Sequence, residues 1–568
     1  MAYVTQKTIK GRAYYYAEES EWKNGKSQRK WQKYLGSIEK IIRAVEAKGP
    51  MPQYAEVFQL GAPAAYLRVA EMFDMSETID DLLPKRDQGL SLGFYLMLAA
   101  INRAIAPTSK RSMWRWFQKT VMLRVFPDVD ADALSSQRFW DNMDRVDLER
   151  LSQAWLEIVN SVMDSEQIDI SNVSFDGTNF YTFIGSFNAR CSLAQRGKNK
   201  QGRTNLRQIN YALFCTRKDH IPLFFDVFEG NRHDSKEFGA VIGRFFDAFA
   251  DRRPRRGGIT IVFDKGNNSP ENIGGFYGWP EYHFVGSVKP DDHKDLALVS
   301  NNDSRFEPLV DPRLEDVKAF RARKKIYGRE LTVVVTFNNN LYTSQVQSIN
   351  DEINKCLGKL SDLAVKLDDR RAGRIKRGKA PTVESLRKQI ASILSGQHMK
   401  KLIDTSLSQE EGLARLTYRV NTEAVAKLTD TYLGKNIIIT DNHEWSSEDI
   451  ILAYRSQSVI EDAFKQMKDR KTGSWWPMFH WTDHKIHIHG FYCSLALLLR
   501  SLVMKKARDA GVAISMNRLC EELSGIREVV NIFKKSKKSA ARQSVVTKLN
   551  EIQKRLFDLF KMKKRLSS

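Results

Sequence analysis

The chain has 568 residues, 42% of them apolar, which excludes disorder as its default state and leaves room for about four domains of roughly 150 residues each. Its 90 Lys and Arg against 68 Asp and Glu leave a net charge of +22, which points to a polyanion, nucleic acid first and an acidic membrane surface second. The five cysteines (Cys191, Cys215, Cys356, Cys493 and Cys520) form no Cys-x2-Cys pair, which argues against a disulfide framework and for a reducing compartment. The opening MAYVTQKTIKGRAYYY lacks the apolar run of a signal peptide, and Phe491 to Leu499 is too short to span a bilayer, so a cytoplasmic protein with no membrane partner is expected.

Residues 1–62 read as a β-rich module: RAYYYAEESEW and KSQRKWQKYLG alternate aromatic with polar residues around an NGK hairpin signal. Residues 63–166 turn helical, through LRVAEMF, GFYLMLAAINRAI, SMWRWFQKTVMLRVF and LERLSQAWLEIVNSVM. Lys110 and Arg111, beside Trp114, Arg115 and Trp116, mix cations with aromatics as nucleic-acid surfaces do, and they are candidate DNA contacts. Trp114 and Trp116 cannot both face one way on a helix, so at least one belongs to a core.

From residue 167 to 290 the period becomes that of strands. NVSFDGTNFYTFI holds Asp176, and INYALFCT and IPLFFDVFEGN follow across a short polar turn. DSKEFGAVIGRFFDAFA is an amphipathic helix, GGITIVFDKGNN a strand ending at Asp264, SPENIGGFYGW a helix and EYHFVGSVK a fifth strand. The order β-β-β-α-β-α-β is that of an RNase H-like α/β domain, a mixed five-stranded sheet flanked by helices. Residues 291–435 form a long polar insertion with basic helices and strands such as ELTVVVTF. NIIITDN then opens the second part of the core, residues 436–505.

Ser447 to Arg470 reads as one helix, capped by Ser446 with Asp449 and free of Pro and Gly until Gly473. Tyr454, Gln457, Glu461, Phe464 and Lys468 fall in one stripe, three of the five polar or charged, as expected of a helix lining a cleft. A plain surface helix with Glu461 paired to Lys465 is the alternative on the helix alone. The basic, helical region at residues 506–568 completes the chain; from Arg500 onward there are 18 basic and 6 acidic residues.

Asp176, Asp264 and Glu461 come from a first strand, a fourth strand and a helix after the fifth, places that converge in an RNase H-like layout. Three carboxylates in one site repel unless cations neutralise them, and hard oxygen ligands suit two Mg²⁺ ions, with Mn²⁺ as a substitute. Two such ions activate a water or a 3′-hydroxyl for phosphodiester displacement.

FDGTN, VFDKGNNSPENI and AYRSQSVIEDAFKQMK resemble the three acidic blocks of the DDE transposases of bacterial insertion sequences, in the group marked by a Tyr-x2-Arg-x3-Glu-x6-Lys signature. FFDVFEGNRHDS and INRAIAPTSK resemble that group as well, and the likeness runs from Leu35 to about Leu499. The resemblance implies Mg²⁺ held by Asp176, Asp264 and Glu461, cleavage and strand transfer at terminal inverted repeats, and a homodimer on double-stranded DNA. It also implies that Tyr454 and Lys468 contact phosphates at the cleaved end. Gln457 departs from the signature Arg; it can donate to a phosphate but brings no charge. A nuclease without joining, or a DNA-binding regulator that keeps only the fold, are the alternatives.

Lys265 and Lys465 join the candidate DNA contacts through their places beside Asp264 and Glu461. Trp475 and Trp476 either stack on an unpaired base or pack under the helix end. His480, His484, His487 and His489 fit no closed zinc site, and Cys191 and Cys215 read as buried small hydrophobes.

Overall fold

The computed structural model describes residues 2–23, 25–46, 52–83, 89–232, 234–250, 258–410, 413–533 and 542–566. The chain divides into two compact units: Met1–Arg68 with Trp114–Asp130 and Ala507–Ser568, and Val69–Met113 with Ala131–Lys506. In the first unit β1 (Ala2–Ile9), β2 (Arg12–Lys23) and β3 (Lys26–Gly36) form an antiparallel meander. Asn24 of the expected hairpin turn lies outside the described residues, and Gly25 beside it takes φ 75°, the left-handed conformation such a turn needs. β4 (Tyr54–Gln59) follows. The expected helical run SMWRWFQKTVMLRVF is two short helices, Met113–Phe117 and Met122–Val125, in which Trp116 is buried and Trp114 stacks on Phe117.

The second unit is built on one large mixed sheet flanked by helices. β5 (Asn172–Thr182), β6 (Arg207–Thr216) and β7 (Pro222–Glu229) are antiparallel neighbours, as their alternating turns and apolar runs predict. β8 (Ile259–Val262) and β9 (Tyr282–Val288) add in parallel on the other side of β5, after the helices Asp234–Ala248 and Pro270–Phe276. Parallel neighbours need such crossovers, and a helix supplies them. The expected count of five strands is too low. β10 (Glu307–Pro308), β11 (Val317–Ile326) and β12 (Arg329–Asn338) continue the sheet, joined to β9 through a later strand that reads NIIIT. The final order is nine strands long.

Between β12 and that later strand the insertion folds around a core of its own. A helix of 33 residues (Asn339–Arg371) packs on helix Val383–Ile393, the hairpin β13 (Ile403–Glu410) with β14 (Leu413–Val420), and helix Thr422–Thr431. Ile353, Cys356, Leu360, Leu386, Leu402 and Leu416 are among its buried residues, all from this segment. The chain then re-enters the large sheet as β15 (Lys435–Thr440), antiparallel to both β9 and β12. β15 and β12 are β-branched and buried along most of their length, which is what a strand covered on both faces requires.

Helix Asp483–Asp509 is long and apolar enough by composition to cross a membrane, yet 94% of its most apolar window is buried inside the protein. Here it is a core helix, with Ser494 bonded to Tyr211 of β6 at 2.6 Å. The basic C-terminal region was expected to be helical, but it also carries β16 (Arg527–Ile532) and β17 (Arg542–Val546). β16 pairs with β4, so REVVNI is stabilised by a partner nearly the whole chain away. Four lysines of the basic tail fall at 534–541, outside the described residues.

Because the insertion has its own core, Leu360→Ala should cost about 2–5 kcal/mol locally. Hydrogen exchange is then expected to accelerate across 339–433 while β5 and β6 stay protected. Equal acceleration in both would show a single shared core.

Candidate active site

β5 and β8 run parallel in a register that pairs Asn172 with Thr260, Val173 with Ile261 and Ser174 with Val262. Two residues past the last pair on each strand stand Asp176 and Asp264. Side chains two apart share a face, so both carboxylates reach the same side at the same height, on neighbours about 4.8 Å apart. Asp176 alone in β5 is not fully buried. Asp264, exposed and still extended at φ −77°, ψ 156°, precedes the turn Lys265–Asn267. Lys265 is likewise exposed.

The helix expected over Ser447 to Arg470 is two helices, Ser447–Arg455 and Gln457–Lys468, broken at Ser456. Ser446 caps the first, accepting from the Asp449 amide at 3.0 Å. At the break, Ser174 Oγ donates to the Ser456 carbonyl at 3.0 Å and meets its hydroxyl at 3.0 Å, while Ser456 Oγ donates back to the Ala453 carbonyl at 2.6 Å. The Ser456 carbonyl also accepts from the Val459 amide at 3.0 Å, a tight three-residue bond at the start of the second helix, and a serine bonding back into the preceding turn favours a bend. No proline or glycine is needed.

The two helices therefore address different strands. Tyr454, on the first, is half-buried and its hydroxyl bonds Ser287 of β9 at 2.7 Å. Burial raises its pKa, the Ser287 bond opposes that, and the Asp264 charge adds to the rise. Lys468 closes the second helix and donates to Thr178 Oγ1 of β5 at 2.5 Å. Glu461 lies seven residues before Lys468, two turns away on the same flank, and is exposed. The helix buries Val459, Ile460, Ala463, Phe464 and Met467 on its other side. Lys465 bonds Asp462 at 3.0 Å in preference to Glu461. Gln457 begins the second helix and is half-buried. Arg455 turns away, donating to the Arg313 carbonyl at 2.9 Å. Among the described residues no three His, Cys, Asp or Glu side chains come close enough together to hold a metal ion, so Asp176, Asp264 and Glu461 do not form a closed three-carboxylate cluster here.

A second cation stands at Asp176 that its surroundings in sequence, QRGKNKQGR, did not single out. Lys200 donates to the Gly177 carbonyl at 2.6 Å. Burial lowers the pKa of Lys468, the nearby Lys200 charge lowers it further, and Asp176 acts the other way. Arg470 bonds the Tyr181 hydroxyl and lies 5.7 Å from the Trp476 ring, while Arg203 lies 5.8 Å from the Tyr181 ring. The far half of β5 is thus rimmed by four cations.

Burial separates the expected DNA contacts from one another. Trp475 is 0% exposed, stacked on Phe180 at 4.4 Å, and belongs to the core; Trp476, stacked on Tyr181 at 4.7 Å, keeps a solvent-facing part. Adjacent residues of an extended segment point opposite ways, which divides the pair. Lys110 is buried as well, whereas Arg111 beside it is exposed. Three of the histidines bond within the protein: His484 with the Val146 carbonyl at 2.7 Å, His489 with the Trp475 carbonyl at 2.8 Å and His480 with the Tyr492 hydroxyl at 3.2 Å. Cys191 and Cys215 are buried, and burial pushes the Cys191 thiol up to about 11.

No protein-family model matches the chain, and no curated protein matches it in sequence. Among solved structures it is similar to the piggyBac transposase synaptic complex with hairpin DNA, at 9% identity and a TM-score of 0.34, over 83% of this chain and 82% of that one.

The Ser174–Ser456 contact fixes the break and, through it, the flank that carries Glu461 and Lys468. Ser174→Ala removes one of two donors to that carbonyl, the Val459 amide remaining, and should cost about 0.5–1.5 kcal/mol. Urea unfolding of the variant measures this, and an unshifted midpoint would show that the break stands without the bond.

Proposed function

We propose that this chain is a metal-dependent DNA transposase of the DDE type, acting through an RNase H-like core. The observation that carries the proposal is the parallel register of β5 and β8, which brings Asp176 and Asp264 level beside a helix flank bearing Glu461 and Lys468. The order β7-β6-β5-β8-β9, three antiparallel strands followed by two parallel additions, supports the RNase H-like reading.

The donor set fits Mg²⁺, or Mn²⁺ in its place: hard carboxylate oxygens on adjacent strands, one of them open to solvent. Asp176 and Asp264 would hold the ions, with Glu461 completing the set. When bound, two such ions lower the pKa of an attacking water and neutralise charge on the leaving oxygen. The chain's own residues position the DNA. Lys468 and Lys200 offer ammonium groups to phosphates on either side of Asp176, and Arg470 and Arg203 extend that rim. The Tyr454 hydroxyl, oriented by Ser287, and the neutral donor Gln457 face the same approach from the helix pair. Water attacks a phosphodiester at the element's end, and the freed 3′-hydroxyl is the next nucleophile. A homodimer would hold two terminal repeats together. The setting is the cytoplasm.

Cleavage and joining of a labelled duplex bearing the element's own end, with Mg²⁺ or EDTA, tests the reading. Nicking and joined product should require metal and vanish in Asp176→Asn, Asp264→Asn and Glu461→Gln while binding persists. Cutting without joining would move the assignment to a nuclease, and binding without cutting by the parent would leave a regulator.

The cation rim makes a separate forecast. Lys200→Ala and Lys468→Ala should each reduce the slope of log affinity against log salt by about 1, roughly equally for all sequences. Anisotropy titrations across salt read this out, and an unchanged slope would remove that lysine from the phosphate path.

A further inference from the structure

Away from the aspartates, a cavity of about 330 Å³ is lined by Arg103, Lys110, His480 and Tyr492, with Ser136 and Trp140 on its wall and exposed Arg111 at its rim. Three of these side chains are buried cations or ring donors: Arg103 is 2% exposed, Lys110 8% and His480 5%. They gather round one ring. Lys110 Nζ lies 4.0 Å from the Tyr492 centroid, Arg103 Cζ 5.8 Å, and His480 Nε2 3.2 Å from the Tyr492 hydroxyl. Arg103 spends one nitrogen on the Pro477 carbonyl at 2.7 Å. Its Nε and Nη1, Lys110 Nζ and His480 Nδ1 have no hydrogen-bond partner among the described residues, and no described carboxylate lines the cavity.

A buried donor left unpaired is destabilising, and more so when charged. Several of them gathered on residues that line one cavity, with no acceptor supplied, match the donor set of an anion site. Burial holds the Lys110 pKa well below its ordinary value, with the charge of Arg103 adding to the effect. Cation–ring contacts soften the cost at Lys110, but a ring face supplies no acceptor.

We infer that this cavity is a phosphate-binding site, in which Lys110, Arg103 and His480 donate to one phosphate group. The group comes either from a DNA strand or from free phosphate; both present the same oxygens. The site does not depend on the catalytic reading, since it shares no residue with the aspartate face.

Thermal unfolding of the full chain in phosphate against chloride at matched ionic strength is the test. The parent's midpoint should rise by several degrees in phosphate. Lys110→Met, nearly isosteric, should lose that rise and unfold no earlier than the parent in chloride, since it removes a buried amine with no hydrogen-bond partner. Ser136→Asp covers the case in which that variant fails to fold. Its carboxylate enters the cavity wall in the first turn of helix Ser136–Met143, where an acid is tolerated, and it too should abolish the phosphate rise. No phosphate-specific rise in the parent, or an equal rise in the variants, would overturn the site. Duplex binding separates the sources. If phosphate weakens it in the parent and not in Lys110→Met, the DNA strand fills the site; if both are indifferent, free phosphate does.

Discussion

β8 stops early, and much of the second unit follows from that. β5 pairs with β6 over its full length, Val173 with Thr216 through to Thr182 with Arg207, but with β8 only through Ser174. Beyond Ser174 one edge of a central strand is left open. Helix Gln457–Lys468 packs over this half of β5 and onto β6, where Phe464 meets Tyr211, with its N-cap Ser456 bonded to Ser174 and its last residue to Thr178. An ionisable side chain inside a central strand is costly unless solvent or a counter-charge can reach it. Asp176 is tolerable because the β8 ladder has already ended, and Asp264 is level with it because the same register set where β8 ended.

That helix is clamped at its far end by polar groups that core packing alone would not require. Arg500, 1% exposed, donates to Gln466 Oε1 and to the Ala104 carbonyl, both at 2.9 Å, and the Trp475 amide bonds the Met467 carbonyl at 2.8 Å. The Asp483 carboxylate accepts from the Ser192 and Leu193 amides at 3.0 and 2.9 Å, tying the β5–β6 connection to the long core helix. Hydrogen bonds to charged groups contribute about 1.5–3 kcal/mol each. They hold the flank of Glu461 and Lys468 to one orientation at one end, while the break at Ser456 fixes the other.

Local pattern was enough for β5 to β9, because each is a short apolar run closed by turn residues, and for Asp176 interrupting one strand and Asp264 following the end of another. What the pattern could not carry is pairing over distance. NIIIT and ELTVVVTF read correctly as strands, yet nothing in either says that they extend the same sheet as β9. REVVNI in the basic tail is paired by YAEVFQ, 468 positions earlier at Arg527 against Gln59, and charge concealed it. The run breaks at Ser456 with no Pro or Gly, where Ser174 of β5 meets both its carbonyl and its hydroxyl, a tertiary contact with no local sign. Lys200 sits among polar residues and becomes notable only when β5 brings Gly177 to it.

Burial alone does not distinguish the lysines; their partners do. Lys435 is buried and held to the Ala297 carbonyl at 3.1 Å and to that of Val299, and its pKa falls to about 8 chiefly through desolvation. Lys506, half-buried, meets Glu166 at 2.5 Å. Lys468 has Thr178 as acceptor and Asp176 as counter-charge. In each case the fold supplies the oxygen that desolvation makes necessary. Lys110 is desolvated as fully as any of them, has Arg103 for a neighbour, and is offered only aromatic faces. A hydrophobic residue of the same length would fill that wall at less cost. The lysine is accounted for by an oxygen that arrives from outside the chain, and the same reasoning makes a phosphate, with several acceptors for several unpaired donors, a better match than chloride.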